Sequence, residues 1–285
     1  ATDVATLYLT TLPQSFVKLN VKVQLQGALL GSGDGLMRDD LRSRDFIPAA
    51  EPYTAISSFT HVGEGGAETV ANPVTVFADH GDNSIVDWVF VELRSAADPA
   101  EVVATRSGLL QKDGDVVDTD GVSELCFTQS EPGDYYVAVR HRNHIGTMTA
   151  SALTLTADGT VVDFIDTNTE LWNNQANYDG VEQVTIDGQY ALWAGNTSSD
   201  DRIVFAGQAN DKDPIFNEID TAPGNIFKIQ TYILPGYHPG DVNLDGDSIF
   251  AGQNNDVDPI FNNVDGFPAN LFKIQTFIIF EQLAE

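Results

Sequence analysis

The sequence predicts a mainly β chain that ends in a duplicated unit. Two observations carry this expectation. Over the first half, short runs of alternating apolar and polar residues are broken by turn residues at intervals of about ten positions, with little helical periodicity. Over the last third, the chain repeats itself at a period of 45 without a gap.

Taken in order, residues 17–25 alternate cleanly, with Val17, Leu19, Val21, Val23 and Leu25 apolar and Lys18, Asn20, Lys22 and Gln24 polar, the period of a half-buried strand. A short helical turn is expected over 36–42, and Pro48 and Pro52 then break the chain. Residues 57–75 are rich in Ser, Thr, Gly and Ala and read as a surface excursion. Strands are expected over 69–78, 85–94, 101–111, 122–128, 135–142 and 147–156, punctuated by Asp82-Asn83, Asp113-Gly114, Asp120-Gly121 and Pro132-Gly133. Val86 to Leu93 is largely apolar on both faces, as a central strand would be. Many short strands with turns between them imply an antiparallel β-sandwich of immunoglobulin-like architecture over 1–166. A connector over 167–189 leads to a second domain over 190–285.

Composition narrows the function classes. The 285 residues carry 42 acidic and 14 basic side chains, a net charge of −28. So acidic a surface argues against nucleic acid and anionic membrane, which are held by basic patches. It suits a secreted, extracellular or cell-surface protein in salty or calcium-bearing water, where counterions screen self-repulsion. No apolar run approaches the length of a membrane span. The chain begins at Ala1 without Met or signal peptide, which is compatible with secretion after processing. Cys126, the single cysteine, excludes an internal disulfide framework, and its strand-like flanks predict a buried, inert thiol.

The repeat aligns 195–234 with 240–279 at 22 identities in 40 positions, giving copies over 195–239 and 240–285. Two such copies are expected to pack about a pseudo-twofold axis. Each contains Asp-Pro-Ile-Phe-Asn, read as a short helix with Asp213 or Asp258 as N-cap and proline first in the helix. Strands are expected over 227–234 and 272–280. The second copy opens with Asp241-Val242-Asn243-Leu244-Asp245-Gly246-Asp247, alternating oxygen ligands followed by a turn glycine, the front half of a calcium loop. Asp241, Asn243 and Asp245 supply side-chain oxygens and Asp247 a carbonyl. The twelfth loop position is Gly252, so the closing carboxylate is expected later, at Asp256 or Asp258. A helix cap needs no metal, which leaves Asp258 and Asp213 open between capping and coordination. In the first copy the corresponding set is Asn196, Ser198 and Asp200, with Asp211 and Asp213 closing. Arg202 stands where the second copy has Asp247, and one good site and one weak or vacant site are expected.

A duplicated Asp241–Asp247 loop followed by a short helix resembles the dockerin module, whose two loop-helix repeats each bind Ca²⁺. The resemblance covers about residues 190–285 and implies calcium as cofactor. Departures are the longer repeat, the extra strand in each copy and the insertion Ala251-Gly252-Gln253-Asn254. More broadly, Leu192-Trp193-Ala194-Gly195, residues 210–215, the loop from Gly240 and Glu281-Gln282-Leu283 look like the C-terminal end of large surface proteins of Bacteroidota, and the segments 38–52, 86–94, 102–121 and 135–150 look like the β-sandwich that precedes it in them. That resemblance implies an extracellular address.

These readings converge on a non-catalytic structural protein, a subunit of a surface fibre, adhesin or assembly, stiffened by calcium and associating with itself or another surface protein. The alternative is a module docking a partner domain or a glycan through Trp172, Tyr178 or Tyr237. An enzyme is disfavoured, since the sequence holds no nucleophile elbow, His-x-x-x-His pair or zinc spacing. Three further segments carry lesser expectations. The acids of 113–121 read as a solvated hairpin tip in preference to an ion site. Arg140-His141-Arg142-Asn143-His144 reads as a strand end paired with neighbouring acids in preference to a docking site. Thr6-Leu7-Tyr8-Leu9-Thr10 reads as a first strand, or as a strand donated to a neighbouring subunit.

Overall fold

The computed structural model describes residues 15–285; the expectation for 6–10 lies outside them. The chain is mainly β. Strands β1 (Val17–Lys22), β2 (Ile85–Ser95), β3 (Val102–Gln111), β4 (Asp115–Val117), β5 (Leu125–Phe127), β6 (Gly133–His141), β7 (His144–Met148), β8 (Leu153–Leu155) and β9 (Thr160–Asp163) form one sheet. Its pairings are antiparallel except for β1 with β9. The sheet curls on itself. β8 pairs with β6 at one end, while the amide of Lys18 in β1 donates to the Thr156 carbonyl just beyond β8.

The strand expected to be central is central. β2 lies between β3 and β6 and is buried along nearly its whole length, with Trp88, Phe90 and Leu93 in the main core. Three short helices punctuate the long β1–β2 connection: α1 (Gln26–Leu29), α2 (Asp40–Ser43) and α3 (Pro73–Val76). The last corrects the strand expected over 69–78. Proline at the first helical position favours a turn, and the amides of Val76 and Phe77 close back on Asn72 and Pro73. The 57–75 stretch is also less superficial than expected, because Phe59, Glu68 and Val70 are buried. The strand expected over 147–156 is two strands, β7 and β8.

Beyond β9 come β10 (Val184–Ile186) and β11 (Gln189–Ala191), a hairpin within and just past the expected connector. Residues 192–195 then run between the end of β1 and β7. Leu192 bridges Leu25, and the amides of Ile145 and Gly195 exchange bonds with the carbonyls of Trp193 and Asn143. The entry to the tail is thereby stitched into the sheet.

The two copies are built alike and cross over. Each has a loop strand, a helix and a final strand: β12 (Arg202–Val204), α4 (Lys212–Thr221) and β13 (Ile233–Pro235) in the first, β14 (Asp247–Ile249), α5 (Val257–Gly266) and β15 (Ile278–Phe280) in the second. The final strand of each copy pairs with the loop strand of the other. Ile233 faces Ile249, and Ile278 faces Val204, the same positions displaced by one period. The aromatic contacts repeat the pattern, Phe205 with Phe261 and Phe216 with Phe250. This reciprocity is the pseudo-twofold expected of the duplication. The strands expected over 227–234 and 272–280 are mostly loop. Lys228 and Lys273 take left-handed backbone, and only the last residues of each stretch pair as strands.

Candidate functional site

The expected calcium loop folds as a series of side chains accepting backbone amides. The Asp241 carboxylate accepts from Asp245 (3.1 Å) and Gly246 (2.9 Å), Asn243 Oδ1 from Asp245 (2.8 Å), and Asp245 Oδ1 from Asp247 (3.0 Å). These are the local turns that Asp and Asn make with their own backbone, and they curve the loop so that its oxygens face inward. Gly246 is required twice over: its φ is +88°, and a Cβ there would lie 2.9 Å from the Arg44 guanidinium.

Asp256 sits beneath this loop, fully buried. One carboxylate oxygen accepts from Val242 (2.7 Å) and Asn243 (3.2 Å), the other from Ile249 (2.8 Å). It therefore fastens the loop to the start of α5 through backbone amides. The expected N-caps are corrected. Asn255 caps α5, its Oδ1 accepting from Val257 (3.1 Å) and Asp258 (3.0 Å) while its amide returns a bond to Asp258 Oδ2 (2.9 Å). Asn210 does the same for α4 with Asp213, and Pro214 and Pro259 lie third in their helices. The signal was present in the sequence, an Asn three residues before each Asp.

Asn243, Asp245 and Asp258 line one pocket of about 500 Å³, together with Asn254, Asn255 and Arg38. Asp241 and Asp256 lie buried behind it, and Asp247 turns outward to Arg44 at 2.7 Å. Among the described residues no three His, Cys, Asp or Glu side chains converge as a ready-made cluster. The acids nonetheless load one another. Burial, opposed by Arg142 and reinforced by Asp245, pushes Asp241 up to about 7. Burial and then Asp241 hold Asp256 well above the carboxylate range, and burial also raises Asp245. A hard cation, which takes carboxylate, amide and carbonyl oxygens, is the class of ligand that would discharge such a set.

The first copy reproduces the scaffold with weaker chemistry. Asp211 accepts from Val204 (2.7 Å) and from the amide (3.2 Å) and hydroxyl (3.0 Å) of Ser198. Asn196 replaces Asp241 and closes on Asp200 with both ends of its amide, 2.6 Å to the carbonyl and 3.0 Å from the N–H. Arg202 pairs with Asp201 at 2.6 Å and lies 4.0 Å from Asp200. Here burial, with Asp200 adding to it and the bonds from Val204 and Ser198 opposing, pushes Asp211 up to about 7. Asp213 turns to Asn210.

The cluster 140–144 is the feature whose reach the sequence did not show. Its charges do pair with acids, as expected, but they also hold the tail. Asp87 receives His141 (3.1 Å), Arg142 (3.1 Å) and the Tyr237 hydroxyl (2.6 Å), and Arg142 stacks 4.2 Å from the Tyr237 ring. Burial would raise Asp87, yet Arg142, His141 and Tyr237 hold it at about 2. Asn143 donates to the Pro239 carbonyl (3.0 Å) at the junction of the copies and to the Asp241 carbonyl (2.7 Å) of the second, while its own carbonyl accepts from Gly195 and Asn196 of the first. Ser199 donates to the Arg142 carbonyl. One hairpin grips both copies. Arg38 donates to the Asn243 carbonyl and Arg44 to that of Asp245, so three carbonyls of the candidate loop are held from the sheet side.

Other expectations resolve as packing. Tyr178 is buried and bonds across to Ile278 and Phe280, Tyr237 belongs to the Asp87 network, and Trp172 stacks edge-on against Tyr136. None stands free as a docking anchor. In 113–121, Asp115 pairs with Lys22, Asp118 with Arg106, and Asp120 caps its own turn through Val122 and Ser123. Cys126 is half-buried, and burial raises its thiol. No helix among the described residues is long and apolar enough to cross a membrane. Compared with known proteins, the chain matches no family model, no curated protein and no solved structure.

Proposed function

We propose that this chain is a non-catalytic extracellular structural subunit, an immunoglobulin-like β-sandwich carrying a dockerin-like duplicated tail that Ca²⁺ stiffens. The observation that carries the reading is the second-copy loop, where Asn243, Asp245 and Asp258 open on one pocket and Asp241 and Asp256 lie buried directly behind. That set is oxygen-only and over-acidic, which fits a hard divalent cation better than a proton or a soft metal. Asn243, Asp245 and Asp258 would hold the ion, with Asp241 and Asp256 neutralising it from the second layer. The ion would supply charge compensation, not reaction chemistry. Its effect is structural, because the same loop carries the carbonyls that Arg38, Arg44 and Asn143 hold. The net charge of −28 supports an address where calcium and salt are abundant. Thermal unfolding in millimolar calcium against EDTA tests the reading. A higher midpoint with calcium, abolished by Asp245→Asn, is expected, and an unchanged midpoint would sink the calcium part.

A further inference from the structure

Each copy of the repeat holds two large apolar side chains out in water by the same device. In the first copy Ile226 and Phe227 are 74% and 80% exposed; in the second Leu271 and Phe272 are 79% and 86% exposed. These loops are stapled. The buried Asn225 side chain accepts from Ile229 (2.8 Å) and donates to the Ile219 (2.9 Å) and Ile229 (3.0 Å) carbonyls. Asn270 does likewise with Ile274 (2.8 Å and 3.0 Å) and Val264 (2.7 Å). The left-handed residue that follows is Lys228 or Lys273, ion-paired to Asp220 at 3.2 Å or to Asp265 at 3.5 Å. Neither loop can collapse to hide its phenyl ring without breaking a buried amide, so the exposure is built in. Phe, Lys, Ile, Gln and Thr are also kept identical between the copies here, although each Phe stands largely clear of the described residues. Folded monomers rarely leave such patches in water, and a rigid aromatic knob is what a binding hot spot uses.

The sheet half carries a seat of matching chemistry. A surface pocket of about 410 Å³ is walled by Ile47, Ala49, Pro73 and Phe77, with Arg42 in its lining and Val74, 85% exposed, at its edge. That volume accommodates a phenyl ring. The exposed carboxylate of Asp45 also lines it, placed to meet the lysine that follows each phenylalanine. Arg42 is spent on Asp39 at 2.7 Å, which leaves Asp45 as the uncompensated charge of the lining, and in a chain of net charge −28 a lysine-bearing knob meeting that carboxylate is a route by which like-charged copies can approach. We propose that the Phe227 and Phe272 knobs seat in the Asp45–Phe77 pocket of a second copy of this chain. Because knob and pocket are different surfaces, each contact leaves a knob and a pocket free, so head-to-tail addition builds a row of subunits wherever its rotation does not close a ring. This rests on the structural-subunit reading but not on its calcium part.

Sedimentation velocity and negative-stain microscopy of the full chain, each with calcium and with EDTA, test the proposal. Concentration-dependent rows are expected. Phe227→Ser and Phe272→Ser together should weaken association by roughly tenfold or more, with each single variant intermediate, since the knobs are alternatives. Val74→Asp should do the same from the pocket side, and circular dichroism would show all four variants folded. In a Cys126→Ser background, Phe272→Cys chains mixed with Val74→Cys chains should form a heterodisulfide. A wild type monomeric at all concentrations, rows indifferent to the knob variants, cross-linking only between two Phe272→Cys chains, or binding of the monomer to phosphatidylcholine vesicles through the knobs would each overturn it. Rows that persist in EDTA together with an EDTA-insensitive unfolding midpoint would remove calcium from the reading and leave this contact standing.

Discussion

The two loops of the repeat share a backbone and differ in charge. Ser199 and Leu244, one period apart, both adopt left-handed φ, near +55° and +58°, and Asp211 and Asp256 fasten both loops in the same way. What differs is how inward-facing charge is handled. In the first copy Asn196 and Ser198 replace Asp241 and Asn243, and the Asn196 amide and Ser198 hydroxyl satisfy themselves on the Asp200 carbonyl and the single buried carboxyl of Asp211. In the second, Asp245 raises Asp241 and both raise Asp256, although the three do not converge as one cluster, and no lysine or arginine side chain is ion-paired to any of them among the described residues. The comparison separates two requirements that calcium loops usually combine. The shape is made by Asx turns and a buried aspartate clamp and is common to both copies; the cation affinity proposed for the second would rest on its surplus of carboxylate.

The largest test of this comparison lies outside both loops, in the hairpin that holds them. Arg142→Leu leaves Asp87 buried without its main counter-charge and releases the Tyr237 stack, at a cost of about 3–5 kcal/mol in urea denaturation. The junction between the copies should loosen with it, since Arg142 also donates to the His238 carbonyl just before the second copy begins. Next comes the metal. Calcium at about a hundredfold over its dissociation constant adds about 2.7 kcal/mol. Asp245→Asn should remove that response and Asp200→Asn should leave it intact; equal loss from both would mean that the copies are equivalent sites.

Acid gives a further effect. Burial, with His141 and Arg142 beside it, holds His144 well below its ordinary pKa, and burial lowers His141 although Asp87 opposes. The unfolded chain takes up these protons at higher pH than the folded one, so the two histidines withdraw stability as pH drops below about 6.5, while the raised Asp241 and Asp211, protonated earlier in the folded chain, add to it over part of the same range. Asp87, depressed to about 2, adds stability that is complete above its unfolded value and is lost only as pH falls from about 4 towards 2. His144→Gln should flatten the first limb and spare the second in midpoint-against-pH curves. The smallest effect belongs to the knobs. Phe227→Ser or Phe272→Ser should move the unfolding free energy by no more than about 0.5 kcal/mol, because each ring stands largely clear of the described residues.

What was legible in the chain follows from the range of the forces involved. β2, β3 and β6 were readable because alternation and turn residues are local. The Asp241–Asp247 loop was readable because its ligands are consecutive. Residues 227–231 misled because Phe, Ile and Thr favour strands, while the Asn225 side chain had already taken the backbone bonds that a strand partner would use. Residues 69–78 misled in the same way, with Pro73 deciding for a turn. The role of Arg142 could not be read at all, since its partners Asp87 and Tyr237 lie 55 and 95 positions away in the chain. The sequence did show charges there; which of them met, and that both copies hang from one hairpin, is a property of the long-range packing.

The crossed strands of the tail carry a consequence for how such a unit arises. Among the described residues Ile233–Pro235 pairs only with the second copy, and Ile278–Phe280 only with the first. A polypeptide consisting of a single period would end in a strand with no neighbour in its own chain. Its stable form would be a two-chain intertwined pair, held by the same Phe205–Phe261 type of contact across the axis. The tail has the form of such a pair fused head to tail, an obligate dimer whose subunits share one backbone. Excising either half would not leave a smaller domain but a fragment in search of its twin.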